Sequence, residues 1–277
     1  MQPNQMRVAA CQILTFPEPD KSAGKVIHWM ERASDDGVDV IAFPEACLCG
    51  YACDPEYWRN ANPEDFRAAE TRIIQAAKRL DVAVILGTVH WQGGELLNSL
   101  LVIDAGGEVR GRYAKTHLAE SWSTPGRGLP VYSVAGVPSC FLVCHDIRYP
   151  ELVRLPAIAG AQICYFCSCE SGLLAEYKLS AYKSMPIARA AENDIYLVMA
   201  NTPADAQHLD SPSQSHGNSK IIDPDGNVVC EAGYLKERLV AATIDISAAR
   251  RRFARRAVED DTLLRGWMQD GVRLVQR

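Results

Sequence analysis

A chain of 277 residues, 48% hydrophobic and 23% charged, carries enough apolar mass for a large folded core and too few charges for a disordered one. Its formal net charge of -5 argues against a nucleic-acid partner, whose phosphates call for a basic face. No apolar run approaches the roughly 20 residues needed to cross a bilayer, and MQPNQMRVAACQIL lacks the basic stretch, apolar core and cleavage site of a secretory leader, so a cytoplasmic protein without membrane contacts is expected.

In chain order, β-branched apolar runs alternate with helical patterns. MRVAACQI (6–13), VDVIAFP (38–44), VAVILGTV (82–89) and CFLVC (140–144) read as buried strands. Between the first two, residues 20–37 place Val26, Trp29, Met30 and Ala33 on one helical face. Residues 64–80 do the same with Phe66, Ala69, Ile73, Ala76 and Ala77. LLNSLLVIDAGGEVRGRYAK (96–115) and NSKIIDPDGNVVCEAG (218–233) each predict a hairpin around a glycine-containing turn. Further strands are expected at ICYFCS (163–168), DIYLVMAN (194–201) and ERLVAATID (237–245).

Strands joined by helices together with hairpins predict an α/β fold with a mixed sheet, or two stacked sheets covered outside by helices. With no Pro/Gly/Ser-rich linker, the reading is one domain over 1–245 and a C-terminal arm over 246–277. The arm carries Arg250, Arg251, Arg252, Arg255 and Arg256, a solvated or interfacial face in an acidic protein. Its Leu263, Leu264, Trp267 and Met268 are too apolar for a free tail, so it is expected to dock on its own body or on a second subunit.

Ten cysteines without a leader point to reduced core thiols rather than a disulfide framework. Any one of them, Cys144 included, is by itself more often packing than chemistry. The CxxCxC spacing of Cys164, Cys167 and Cys169 invites a zinc reading, but it falls in a strand with no second ligand pair nearby, and no metal is expected. No phosphate-binding glycine loop is present either.

A cysteine nucleophile needs a base for its proton and donors for the oxyanion it creates. Of the six histidines, His28, His90, His117, His145, His208 and His216, only His117 falls in a stretch resembling a site loop. His117 and His145 read first as scaffold residues. A carboxylate ending a buried strand is a better base, and VDVIAFP runs into Glu45, followed by a loop with Gly50 and Tyr51. Partial burial there would raise its pKa toward the range that accepts a thiol proton. Lys115, at the end of the second hairpin strand, would supply a cation to thiolate and oxyanion.

FPEACLCGY, YAKTHL and CHDIRYPE, in this order, resemble the three signature segments of the nitrilase superfamily of carbon-nitrogen hydrolases. ARAAEN followed by IYLVMAN, and the 218–233 segment, resemble its later segments, so the likeness spans residues 6 to about 245. The resemblance implies a four-layer α-β-β-α sandwich pairing across a subunit interface as a homodimer or higher homo-oligomer. It implies Cys144 as nucleophile, Glu45 as base, Lys115 at the oxyanion and Glu120 as a second glutamate, without a cofactor. The amide of His145 could share the oxyanion, while Tyr51, His145, Ser168, Cys169 and Glu170 are candidates to line the substrate site.

His145-Asp146 after the nucleophile, rather than Trp-Glu, is closer to the amidase and N-carbamoyl branches than to true nitrilases. The expected activity is hydrolysis of a small linear amide through a Cys144 thioester, with ammonia released. An N-carbamoyl amino acid or amine is the alternative substrate; a nitrile, acyl transfer and a non-catalytic scaffold rank lower. Asp146, Arg148 and Glu192 read as loop-fixing charges. The arm departs from the family pattern in lacking an Arg-Arg-x-x-x-Tyr ending.

Overall fold

The computed structural model describes residues 4–170, 176–207 and 215–276. The first half contains β1 (Gln5–Gln12), α1 (Pro19–Asp35), β2 (Val40–Ala42), α2 (Pro55–Asn60), α3 (Pro63–Leu80), β3 (Ala83–Gln92), β4 (Glu95–Ile103) and β5 (Val109–Ala114). After β6 (Leu129–Pro130) and β7 (Tyr132–Val134) come β8 (Val137–Val143), α4 (Glu151–Ala159), β9 (Ile163–Ser168), α5 (Glu176–Ala191) and β10 (Tyr196–Asn201). The chain closes with β11 (Lys220–Ile222), β12 (Val228–Glu231), β13 (Arg238–Asp245), α6 (Arg252–Glu259), α7 (Arg265–Val272) and β14 (Val275–Gln276).

Local chemistry explains the helix boundaries. Asn62 accepts a hydrogen bond from the amide of Glu64, Pro63 opens α3, and Lys78 and Arg79 lie in its last turn, where the helix dipole favours cations. In α1, Pro19 and Asp20 open the helix and Arg32 lies in its last turn.

The strands form two six-stranded sheets, ordered β13-β1-β2-β3-β4-β5 and β12-β11-β10-β9-β8-β7. In each, parallel strands form the centre (β1, β2 and β3; β8, β9 and β10) and hairpins add the antiparallel edges. Strand alternation divides the apolar residues into three layers. Val8, Val40, Ile85, Phe141 and Tyr165 pack between the sheets. Ile41 and Val84 face Trp29, Met30 and Ile73 on one outer side, and Leu142 and Phe166 face Val153 and Tyr182 on the other. The result is the expected four-layer α-β-β-α sandwich.

Several boundaries differ from the sequence reading. The 38–44 strand shortens to Val40–Ala42, while β3 continues to Gln92 and turns through Gly93 and Gly94 into β4 as one long hairpin. Helices α4 and α5 were not anticipated, because a proline sits inside each and their apolar faces are short. Asp194 and Ile195 precede β10 rather than belonging to it. Asp194 is held in a left-handed conformation (φ 58°), and its carboxylate accepts from the amide and guanidinium of Arg252 at 2.7–3.0 Å. This anchors residues beyond 246: α6 and α7 contact α4, and β14 pairs with β6 in parallel register. Leu263, Trp267 and Leu274 stay exposed.

Candidate active site

The parallel centres of the two sheets set the site, because the C-terminal ends of β2, β8 and β9 meet there. Glu45 follows β2, and its amide donates to the carbonyl of Ser168 at the end of β9 (3.4 Å), tying one sheet to the other. Gly87 in β3 allows this approach: a Cβ there would lie 1.8 Å from the Pro44 carbonyl oxygen and 2.8 Å from the Glu45 Cα. Any side chain at position 87 would displace Glu45.

Glu45 is fully buried rather than partly so, and every contact it makes is directional. Its Oε1 accepts from Lys115 Nζ (2.7 Å) and Asn98 Nδ2 (2.8 Å), and its Oε2 accepts from the amide of Cys169 (2.9 Å). Lys115 Nζ also donates to Glu120 Oε2 (2.6 Å), and Asn98 Nδ2 to Glu120 Oε1 (2.8 Å). Glu120 accepts further from Ser123 Oγ (3.1 Å), and Tyr51 Oη approaches its Oε2 at 3.4 Å. Lys115 is thus a buried ammonium held between two carboxylates, a geometry that fixes its head in place.

These contacts set the protonation balance. Burial pushes the Glu45 carboxyl above the ordinary range, against the pull of the Lys115 charge. Burial would lower Lys115, but Glu45, Cys144 and Glu120 outweigh it and keep the ammonium charged. Burial would raise Glu120, yet the charge and hydrogen bond of Lys115 leave it below the usual range.

Cys144 follows β8 at a sharp turn with φ 45°, a left-handed conformation that costs a non-glycine residue free energy and marks functional turns. It opens a short 3-10 helix over Cys144–Arg148. Asp146, buried beneath this turn, accepts from the amides of Val143 (3.1 Å) and His117 (2.8 Å) and from the Tyr113 hydroxyl (2.8 Å). It therefore locks the Cys144 turn to the loop that follows Lys115, the loop-fixing role read from sequence. Cys144 Sγ donates to Glu170 Oε2 at 3.2 Å. Burial first, then Glu45, raise its thiol pKa, while Lys115 pulls it back.

The expected residues therefore converge. Glu45, Lys115, Glu120 and Tyr51 form one hydrogen-bonded cluster, and Glu170 touches Cys144. Cys169 enters through its backbone amide, and Ser168 through its carbonyl and a side-chain hydrogen bond with the Cys144 thiol. The side chain of His145 is half-buried and edge-on to Tyr149 at 5.9 Å, and it feels the charges of Lys115 and Glu170. His117 stacks on Tyr149 at 3.4 Å between ring centroids. His208 and residues 171–175 of the loop after Cys169 lie outside the described residues.

Sequence reasoning missed Asn98, which bridges both carboxylates. The signal was an asparagine inside the apolar run LLNSLLVI. It also missed Tyr182 and His216, brought to the site from α5 and from the segment before β11. Of the CxxCxC residues, Cys164 faces the outer layer and Cys167 the layer between the sheets, so the spacing does not turn these two thiols toward one point.

The family model described as carbon-nitrogen hydrolase matches residues 7–252. The chain is 29% identical over 239 residues to a 2-oxoglutaramate amidase of Bacillus subtilis (strain 168), covering 84% of this chain and 88% of that protein. It is 31% identical to an (R)-stereoselective amidase of a Pseudomonas species, covering 78% and 77%. Among solved structures, it superposes with a TM-score of 0.78 and 25% identity on a mutant amidase from Nesterenkonia sp. AN1, covering 90% and 94%. That structure shows covalent addition of the acetamide moiety of fluoroacetamide at the active-site cysteine. With a family match across nearly the whole chain and the same fold, this protein belongs to the carbon-nitrogen hydrolase family of the nitrilase superfamily.

Proposed function

We propose that the protein hydrolyses a small linear amide through a thioester at Cys144, releasing ammonia. The observation that carries this reading is the Lys115 ammonium, buried between Glu45 and Glu120 and close enough to lower the thiol pKa of Cys144. Glu45 takes the thiol proton, and the thiolate attacks the amide carbon. Lys115 Nζ and the amide of His145 stabilise the tetrahedral oxyanion. Ammonia leaves with the proton from Glu45, which then activates the water that cleaves the thioester. None of these steps calls for a metal or an organic cofactor.

The amidase names of two relatives and of the Nesterenkonia structure support an amide over a nitrile. An N-carbamoyl amino acid or amine is the second substrate class. Exposed Leu263, Leu264, Trp267 and Leu274 favour a homodimer or higher homo-oligomer in which residues 246–277, an arm on the 1–245 catalytic body, meet a second copy; light scattering in solution tests this. Ten unpaired thiols suit a reducing cytoplasm. The described residues contain no helix long and apolar enough to cross a membrane.

The deciding experiment measures ammonia release from ω-amides, simple amides, N-carbamoyl compounds and nitriles, with Cys144→Ala alongside. Turnover of one class that disappears in the variant supports the reading. No turnover of any class, with Cys144 no more reactive than the other cysteines, overturns it in favour of a scaffold.

A further inference from the structure

Asn98 takes no part in the hydrolytic steps above, yet its groups reach Glu45, Lys115 and Glu120 together. It lies in β4, opposite Val89 of β3, and is fully buried. Its backbone carbonyl accepts from the amide of Lys115 (2.8 Å), which fixes the strand end that carries the ammonium. Its Nδ2 donates to Glu45 Oε1 and to Glu120 Oε1, both at 2.8 Å. A carboxylate repels an amide oxygen, so the side chain has one orientation, with both N–H groups on the carboxylates. Its Oδ1 is thereby left buried without a partner among the described residues. An unsatisfied buried acceptor is unfavourable, so the carboxylates, and not the hydrogen-bonding balance of the asparagine, set this orientation.

The two N–H groups act differently on the two carboxylates. A carboxylate offers about four lone-pair sites, shared between its oxygens. At Glu120 protein donors take all of them. Asn98 Nδ2 and Ser123 Oγ bond Oε1, and Lys115 Nζ and the amide of Ala119 (3.1 Å) bond Oε2, with Tyr51 Oη beside them at 3.4 Å. At Glu45, Lys115 Nζ and Asn98 Nδ2 fill Oε1, whereas Oε2 accepts from the Cys169 amide alone. The protein donors therefore leave one lone pair, on Oε2 of Glu45, for a proton. Without Asn98, Oε1 of each carboxylate would open as well, and three oxygens would compete.

We propose that Asn98 is a positioning residue: by closing Oε1 of both carboxylates it makes Oε2 of Glu45 the single oxygen that receives the Cys144 proton. The proton moves from Sγ to Oε2, then to the leaving nitrogen, and one from the attacking water replaces it; Asn98 neither gains nor loses a proton. The later steps of this route rest on the amidase reading. The transfer from Cys144 to Glu45 is common to any nucleophilic use of the thiol.

The charge state of Glu45 is the readout. Besides Lys115, Glu120 and Cys144, the groups that feel its charge are Tyr51 and the thiols of Cys49, Cys53, Cys167 and Cys169, which burial keeps neutral at acid pH. Glu170 and His145 also lie by Cys144, so variants at both glutamates assign any acid limb.

Alkylation of Cys144 by iodoacetamide is followed against pH, with Cys144→Ala as the blank, beside kcat and KM for an amide. In Glu45→Gln the acid limb of alkylation should vanish, leaving only the rise that follows ionisation of the thiol. In Glu120→Gln it should remain and move to lower pH, because a negative charge beside Glu45 is lost. A native profile without an acid limb overturns the proposal, as does loss of the limb in Glu120→Gln or its survival in Glu45→Gln. These arms need no variant at residue 98. Asn98→Asp keeps the shape and Asn98→Leu the volume, and both lose the paired N–H groups. In each, the ionised Glu45 loses a donor, so the limb should move up by about one pH unit or more, the size of a hydrogen bond to a charged group. With the proton misdirected, kcat should fall by about tenfold or more while KM stays nearly unchanged. A folded variant with an unmoved limb, or with a change confined to KM, overturns the proposal. A shifted limb without turnover of any amide sinks the amidase reading and leaves the role of Asn98 standing. Turnover with an unmoved limb does the reverse.

Discussion

Cys144 and Cys167 are near neighbours with opposite surroundings. In the β8–β9 pairing Val143 is opposite Cys167, so the two thiols are one residue out of step at the ends of adjacent strands. Both face the layer between the sheets, both are buried, and burial raises both thiol pKa values. The neighbours of Cys167 only reinforce that rise, through Glu45 and Cys47, whereas Lys115 opposes it at Cys144. Cys144 also sits at a left-handed turn with its sulfur against a carboxylate. Burial alone therefore favours an inert thiol, and the cation beside Cys144 is what sets it apart from Cys167.

The largest expected effect is on the proposed nucleophile itself. Cys144→Ala should lower amide turnover by at least about 10⁴-fold, the scale seen when a covalent nucleophile is removed. Cys167→Ala should leave turnover within about threefold and cost about 1 kcal/mol in denaturant unfolding, the scale of a small buried group. Equal loss of activity in both would erase the distinction.

Next comes the cation. Lys115→Met should reduce kcat by about 10²–10³-fold, as losing an oxyanion donor does, and should slow alkylation of Cys144 without changing that of Cys167. A variant with native alkylation kinetics would separate Lys115 from the thiol. Glu120→Gln keeps the shape and removes one of the two charges holding the ammonium; a loss of about tenfold is expected, mostly in kcat.

Proton affinities sharpen the contrast further. Because burial raises Glu45, the acid limb of kcat/KM should fall above the ordinary glutamate value of about 4.3. Alkylation of Cys144 in the free enzyme should keep rising beyond pH about 8.5, since its thiol is raised too. A rate already level at pH 7 would show a preformed thiolate and contradict the balance described above.

The proposed triad of Glu45, Lys115 and Cys144 is legible in sequence because each member closes a strand with a strong local pattern and opens a distinctive loop. Asn98, Tyr182 and His216 are not, since their importance comes from which elements the fold brings together. Tyr182 sits in α5, whose proline and mixed pattern conceal the helix. The strand ends were misjudged for a related reason. DIYLVMAN is apolar almost throughout, and only the ion pair of Asp194 with Arg252 shows that its first residue serves the chain beyond 246.

That pair gives the smallest effect. Burial would raise the Asp194 pKa, but its hydrogen bonds and the charge of Arg252 depress it below the unfolded value. Its contribution is therefore complete above pH about 4 and lost as pH falls through the folded value. Asp194→Asn should lower the melting temperature by a few degrees at pH 7. The gap should close as pH falls below the ordinary aspartate range, with turnover at neutral pH unchanged.

Gly87 extends the contrast to what the chain can tolerate. Most core positions accept a swap of similar volume, but here the obstructing atoms belong to the backbone that carries Glu45. A saturation library selected for activity should recover only glycine at position 87, while its strand neighbours Leu86 and Thr88 admit alternatives. The position would look to a protein engineer like a catalytic residue, although it has no functional group and its sole contribution is empty space.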